Sequence, residues 1–294
     1  MNKTMILSIG EVVWDIFNNR KILGGAPLNV AYHLCTLGHS VRLISRIGSD
    51  ALGDETIRRV TELDLDSHHI QRDPHQPTGQ VMVTVNEAGE PLFDIVAPAA
   101  WDEIDATLLR TAIPDEPFHL IFGSLAQRSP VSRAAIRLLR EKASLRFYDV
   151  NLRPPFTGKD IVSSCLAESD VVKINEAELD QVGDWLNLPA GPPRQRSLDL
   201  FKLLNPVALA VTLGAHGAML VTRDGLFFHP GFPVQVADTV GAGDAFFSTL
   251  IHGILEKYPW PVCLEQANKR AAFVAERHGA TPSMADFPSS SSEI

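Results

Sequence analysis

The segment Asp238-Thr-Val-Gly-Ala-Gly-Asp244 runs directly into the apolar helical stretch Ala245-Phe-Phe-Ser-Thr-Leu-Ile-His-Gly-Ile-Leu255. Gly241 and Gly243 permit a tight turn. The N–H groups of Gly241, Ala242, Gly243 and Asp244 can then converge at a helix start, where the dipole is positive and an anion is held. The Asp244 carboxylate sits on the same turn and can accept a proton. Amides that stabilise an anion beside a base suit transfer of a phosphoryl group to a hydroxyl. The same pattern also suits a plain helix N-cap, for which Asp is favoured.

The elements that position this turn must come from a chain of 294 residues, 45% hydrophobic and 21% charged, which can build a sizeable core. A formal charge of −9 argues against a general nucleic-acid binder, although a local pocket can still be positive. Cys35, Cys165 and Cys263 are far apart and form no CxxC pair, so a reducing cytoplasm with buried thiols is expected. The ten histidines show no HExxH-like spacing, and His68, His69 and His75 read as surface loop residues. The apolar start Met5–Ile9 is too short for a signal-peptide core and meets Glu11 and Asp15. No run approaches the roughly 18 apolar residues of a membrane span.

Apolar strand-like runs alternate with amphipathic helical stretches, which indicates an α/β sheet covered on both faces. Strands are expected over Ile6–Gly10, Val41–Ile47, Leu120–Phe122, Leu145–Val150, Val171–Ile174, Val207–Leu213 and Ala218–Thr222. Helices are expected over Leu28–Leu37, Ala51–Leu63, Val131–Lys142, Glu176–Leu186, Leu198–Leu204, Ala245–Tyr258 and Pro261–His278. The runs Gly79–Val85 and Pro91–Val96 flank the turn-rich Asn86–Glu90 and read as a β-hairpin. With the short piece Val12–Leu23 they form either a small covering sheet, over about 12–24 and 79–98, or extra edge strands. The chain is read as one unit over 1–294, with a polar tail at 288–294 expected to fray.

No Walker A motif or protein-kinase signature occurs, and the Gly241–Phe246 stretch lacks the third glycine and the position of a Rossmann fingerprint. Gly24-Gly-Ala-Pro-Leu-Asn29, with Val30–Gly38 after it, resembles instead the N-terminal signature of the ribokinase-like (PfkB) carbohydrate kinases. Asp238–Asp244 and its helix resemble their C-terminal signature. Gly10-Glu-Val-Val-Trp-Asp15, Ile47-Gly-Ser-Asp50 with Gly53, Asp149-Val-Asn-Leu-Arg153, Asn175-Glu-Ala-Glu178 and Thr212-Leu-Gly-Ala-His-Gly217 follow the family's order. Pro98-Ala-Ala-Trp-Asp-Glu-Ile104 is most like the bacterial fructokinases.

This resemblance implies a three-layer αβα fold with a mostly parallel sheet and a small β-sheet lid. It implies transfer of the γ-phosphoryl group of ATP to a furanose hydroxyl, with fructose first. Ribose, tagatose, 2-keto-3-deoxygluconate or a nucleoside are the alternatives within the class. A catalytically silent sugar or nucleotide sensor is the alternative outside it, and the Asp244 base argues against that reading. In the family pattern Asp15, Gly24, Gly25 and Asn29 grip the sugar: the Asp15 carboxylate can accept two hydroxyl hydrogen bonds, and the glycines admit close backbone approach. Trp101 would stack on the sugar, or else fill the core.

Asp244 would be the base, with the amides of Gly241, Ala242 and Gly243 on the transferring group. Arg153 and Lys173 would neighbour phosphates, and Thr212, Gly214, Gly217 and Asn268 the nucleotide. Asn175 and Glu178 would hold hydrated Mg²⁺, although they also fit a capping box. Asp238 and the Val240 carbonyl would hold a monovalent cation such as K⁺. No lid arginine is evident. A lid of short strands also suits a homodimer through the lid.

Overall fold

The computed structural model describes residues 3–17, 20–85 and 91–288. The first half runs β1 (Met5–Ile9), β2 (Val13–Ile16), β3 (Lys21–Gly24), α1 (Ala26–Thr36), β4 (Val41–Gly48), α2 (Ala51–Glu62), β5 (Ile70–Asp73), β6 (Gly79–Val85) and β7 (Pro91–Ile95). Next come β8 (Phe118–Gly123), α3 (Pro130–Arg140), β9 (Leu145–Asp149), α4 (Lys159–Ala167), β10 (Val171–Asn175), α5 (Glu176–Trp185) and α6 (Pro193–Leu204). The chain closes with β11 (Ala208–Thr212), β12 (Ala218–Thr222), β13 (Gly225–His229), α7 (Ala242–Leu255) and α8 (Trp260–Ala275).

Nine strands form one sheet in the order β13-β12-β11-β10-β9-β8-β1-β4-β5. All neighbours are parallel except β11–β12 and β12–β13. From β1 the chain builds outward through β4 and β5, then crosses back to β8 on the other side of β1. The order therefore reverses between β1 and β8, and the crevice beyond the carboxyl ends of such strands is where α/β sheets bind ligands.

Strand alternation assigns side chains to two layers. Leu7, Ile9, Tyr148, Val172 and Ile174 pack with the apolar faces of α3, α4, α5 and α6. Ile6, Phe147, Val171, Ala208 and Ala210 pack with those of α1, α2, α7 and α8. The sheet is thus covered on both sides, a three-layer mixed α/β fold.

The segments around residues 12–24 and 79–98 are a separate sheet and not extra edge strands of the large one. It has four strands in the order β3-β2-β6-β7. Its root is built by Asp50, which caps α2 through Gly53 N–H at 2.7 Å and also takes Thr78 N–H at 2.8 Å and Thr78 Oγ1–H at 2.6 Å. Thr78 Oγ1 accepts the Gly48 N–H in turn at 3.0 Å, so one carboxylate fastens the start of β6 to the end of β4. The hairpin linker Asn86–Glu90 and the tail beyond residue 288 lie outside the described residues.

Candidate active site

At the switch point the strand ends deliver a cluster of charged side chains. In the parallel pairing of β9 and β10, Lys173 lies directly opposite Asp149. Alternation places both on the layer under α1 and α7, two residues on from Val171 and Phe147. Lys173 Nζ donates to both Asp149 oxygens, at 3.0 and 3.1 Å, and both residues are buried. Burial alone would lower the Lys173 pKa, but Asp149, Glu178 and Asp244 outweigh it and the net shift is upward. Burial pushes the Asp149 carboxyl up to about 7, opposed by Lys173 and reinforced by Glu178 and Asp244. A cation is therefore held beneath the loop.

That loop begins α7. Gly241 has φ of 79°, a left-handed turn that suits glycine, and a Cβ there would strike Ala280. Among the described residues the N–H groups of Gly241, Gly243 and Asp244 have no protein acceptor. The Ala242 N–H instead closes a turn on Thr239 C=O at 3.3 Å, so three of the four expected amides are free and one is shared. A Cβ on Gly243 would lie only 3.2 Å from Lys173 Nζ, so this glycine lets the ammonium approach the amides.

Asp244 lies in the first turn of α7 and accepts Asn29 Nδ2–H at 2.8 Å. This bond joins the starts of α1 and α7, which lie 215 residues apart in sequence. The Asp244 pKa is raised by burial, against the Asn29 hydrogen bond and the positive charges of Lys173 and Arg153. Asn29 Oδ1 is buried without a partner. Asp15 sits on β2, its Oδ2 3.7 Å from where a Gly24 Cβ would be, and accepts no protein hydrogen bond among the described residues. Burial pushes its carboxyl up to about 6, with Arg153 opposing and Asp238 adding. Arg153 is exposed and makes no ion pair within 4.0 Å among the described residues, yet its charge reaches Glu11, Asp15 and Asp244.

Other expected residues have different surroundings. Gly25, at φ 112°, is small because a Cβ would run into the Glu11 carbonyl. Trp101 has no exposed surface: the Arg128 guanidinium lies 3.9 Å from its ring centre and a Cβ on Gly79 would strike its indole. It is a core residue, and stacking on a sugar would require its cover to be removed. Asn268 is buried and donates to its own helix at Leu264 C=O, 2.7 Å away. Gly217 has no room for a Cβ because the backbone of His229–Gly231 crosses it, while Gly214, at φ 57°, faces open space. Thr212 ends β11, next to Asn175 of β10.

Asn175 and Glu178 form the reciprocal capping box: Asn175 Oδ1 accepts Glu178 N–H at 2.8 Å, and Glu178 Oε2 accepts Asn175 N–H at 2.9 Å. Glu178 Oε1 takes a further bond from Leu152 N–H at 2.8 Å. Each Glu178 oxygen keeps one lone pair, which fits a hydrated Mg²⁺ held through its waters better than direct ligation. Asp238 is committed to loops as well, accepting Val240 N–H at 3.0 Å and Gly279 N–H at 3.1 Å. Sequence reasoning assigned no role to Glu11 or Asp149. Strand parity could have placed Asp149 opposite Lys173 once the pairing of β9 with β10 was assumed.

A sheet reversed at β1, a loop of unpaired amides at a helix start and a small second sheet match the ribokinase type of α/β kinase fold. The chain belongs to the pfkB family of carbohydrate kinases, whose family model matches residues 4–286. It is 29% identical over 260 residues to a fructokinase of Escherichia coli, covering 84% of this chain and 83% of that one. A crystal structure of a sugar kinase from Pyrococcus horikoshii superposes with a TM-score of 0.82 at 28% identity, over 95% and 94% of the two chains. A double-mutant fructokinase of Vibrio cholerae, with fructose, ADP and a potassium ion bound, superposes with a TM-score of 0.81 at 25% identity, over 95% and 94%.

Proposed function

We propose that this protein transfers the γ-phosphoryl group of ATP to a primary hydroxyl of a furanose, fructose being the first substrate to test. The observation that carries the reading is the Asn29–Asp244 bond set above the Lys173 ammonium. Together these give a base, an anion site and a cation at the sheet's switch point. Asp15 and Asn29 would grip the sugar, with the ring beneath the small sheet. The attacking hydroxyl oxygen forms its bond to the γ-phosphorus as the bridge to ADP breaks, and its proton passes to Asp244. A raised Asp244 pKa helps it take that proton late in a loose transition state. The amides of Gly241, Gly243 and Asp244, with Lys173, meet the charge on the transferring group.

Asn175 and Glu178 would hold Mg²⁺ through water, and the ion would neutralise charge on the β- and γ-phosphates. Arg153 would lie against the phosphates, and Thr212 and Gly214 beside the nucleotide. Asp238 and the Val240 carbonyl would hold K⁺, a reading supported by the ion in the Vibrio cholerae enzyme. A cytoplasmic enzyme is supported by three cysteines that form no disulfide. A homodimer through the small sheet is supported by the exposed Met82, Leu92 and Phe93 on β6 and β7.

The test is an ADP-release assay with ATP and Mg²⁺ over fructose, ribose, tagatose, adenosine and 2-keto-3-deoxygluconate. One of them, fructose foremost, should support turnover well above the sugar-free rate. Asp244→Asn should cut kcat by about 10²–10⁴ while leaving sugar affinity intact. Binding of a sugar without phosphoryl transfer to any member of the panel would favour the sensor reading instead.

A further inference from the structure

At the ends of α1 and α7 far from Asn29 and Asp244, three side chains with metal-ligating atoms meet. His39 follows α1, whose last turn its own N–H closes on Leu34 C=O at 3.1 Å. His252 and Glu256 come from the end of α7, four residues apart and so on one helix face. His39 Nε2 lies 2.9 Å from His252 Nδ1, and one ring nitrogen of each histidine and a Glu256 carboxylate oxygen all fall within 4.8 Å of one another. Burial falls across the group: His39 is buried, His252 half-buried and Glu256 exposed, so solvent reaches the cluster through the carboxylate.

Two imidazole nitrogens and one carboxylate oxygen, with the fourth position open to water, are a donor set for Zn²⁺. A tetrahedral site with bonds near 2.0–2.1 Å spaces its ligand atoms about 3.3 Å apart. The histidine pair would open by a few tenths of an ångström, and both rings would turn so that their lone pairs converge on the ion. A single N–H now bridges the two rings, and a tautomer shift in the donor ring frees both lone pairs without a net loss of charge. Burial supports this neutral state by lowering the His39 pKa to about 4 and that of His252 in the same direction. The Tyr258 ring packs edge-on against His252, 5.6 Å between centres, and limits its rotation. The cations facing the cluster are Lys3, bonded to Glu256 Oε1 at 2.8 Å, and Arg270. Lys3 is the internal competitor for the carboxylate.

We propose that His39, His252 and Glu256 form a binding site for a divalent transition-metal ion, Zn²⁺ first, which ties the end of α7 to the loop leaving α1. The ion would brace, from the opposite end, the two helices whose starts carry Asn29 and Asp244. The site stands independently of the kinase reading.

The experiment titrates the metal-stripped full-length chain with Zn²⁺ against a chromophoric chelator and follows Tm in parallel. One tight equivalent and a raised Tm are expected, both retained in Asp244→Asn, which separates this site from the acidic cluster at the switch point. His252→Gln and Glu256→Gln should each weaken Zn²⁺ by more than about tenfold. Lys3→Ala should tighten it by removing the competing cation. Co²⁺ in place of Zn²⁺ should give the visible bands of a tetrahedral complex, lost in His252→Gln. This spectrum reads ligation directly even where His39→Ala is too destabilised to compare. The proposal is overturned by a wild type that binds no Zn²⁺ tightly, or by binding and spectra that persist unchanged in His252→Gln.

Discussion

Glu11 shows how much chemistry one position at the switch point can hold. It leaves β1 into the crevice, is only 4% exposed, and its Oε2 has no hydrogen-bond partner. Burial pushes its carboxyl from 4.5 up to about 7; the local backbone hydrogen bond and Arg153 oppose this, while Asp244 and Asp149 add to it. The folded chain therefore keeps a proton that the unfolded chain releases near pH 4.5, and the ionised form destabilises the fold as pH rises through 7. Glu11→Gln removes that charge without changing shape. Near pH 4.5 the variant and parent should unfold at the same urea concentration, and at pH 8 the variant should be more stable by about 2–3 kcal/mol. A difference that stays constant with pH would show that Glu11 does not titrate in this window. The sequence carries Glu11 in the same motif as Asp15, but nothing in local spacing tells a solvated acid from one sealed against Gly25. That distinction arises only when α1 folds back over β1.

The elements that could be read from the sequence are those whose stability comes from apolar periodicity. α2, α3 and α5 and the parallel strands around β1 fall within a residue or two of expectation. The ones missed are held by other means. The edge strand β5 reads Ile-Gln-Arg-Asp because one of its sides faces no neighbour. The first turn of α6 is polar and docks through buried Arg196, which donates to Asp180 C=O at 3.0 Å and Asp184 Oδ1 at 2.8 Å on α5. α4 is nine residues long with adjacent serines, too short and too mixed to show a period. The Ile47–Asp50 motif, with Gly53, proves to be a joint between elements: Asp50 binds α2 and the root of β6 together. Asp50→Ala should cost about 1–3 kcal/mol, from the lost cap and the stranded Thr78 groups. Because β6 pairs with the strand that carries Asp15, sugar KM should rise more than kcat falls, whereas Asp50→Asn should recover part of both. Equal losses in kcat and kcat/KM would mean that the joint acts on the chemistry and not on the seating of the small sheet.

Across the whole molecule, a sheet covered on both faces leaves only its carboxyl ends to be closed, and the small sheet is the one element set there with its own hydrogen-bonded edges. Among the described residues its outer end is uncovered. Alternation puts Val81, Val83, Phe93 and Ile95 on the face that Asp15 shares, and Met82 and Leu92 on the other. Phe93 is 55% exposed, Leu92 53% and Met82 39%, so apolar surface is bare on both faces of the hairpin. A short unburied hairpin of this kind is marginal by itself and presents free edges for pairing. A second copy, laying its own small sheet across the face of Met82 and Leu92, would bury both side chains at once. A specific interface needs about 1,200–2,000 Å² in total, so the contact must extend past the hairpin onto the rest of the sheet. Light scattering should therefore give about twice the 32.2 kDa chain mass. Met82→Asp combined with Leu92→Asp should return the protein to one chain, since two buried carboxylates in each partner would go unpaired. Both positions point away from Asp15, so the single chain should keep its sugar affinity. What it should lose is restraint on the hairpin, seen as faster amide exchange along β7 and more ATP hydrolysed to water per sugar phosphorylated. A parent chain that is already single in solution would place the bare residues in some other role and leave the Asp15 face as the only one the fold needs to cover.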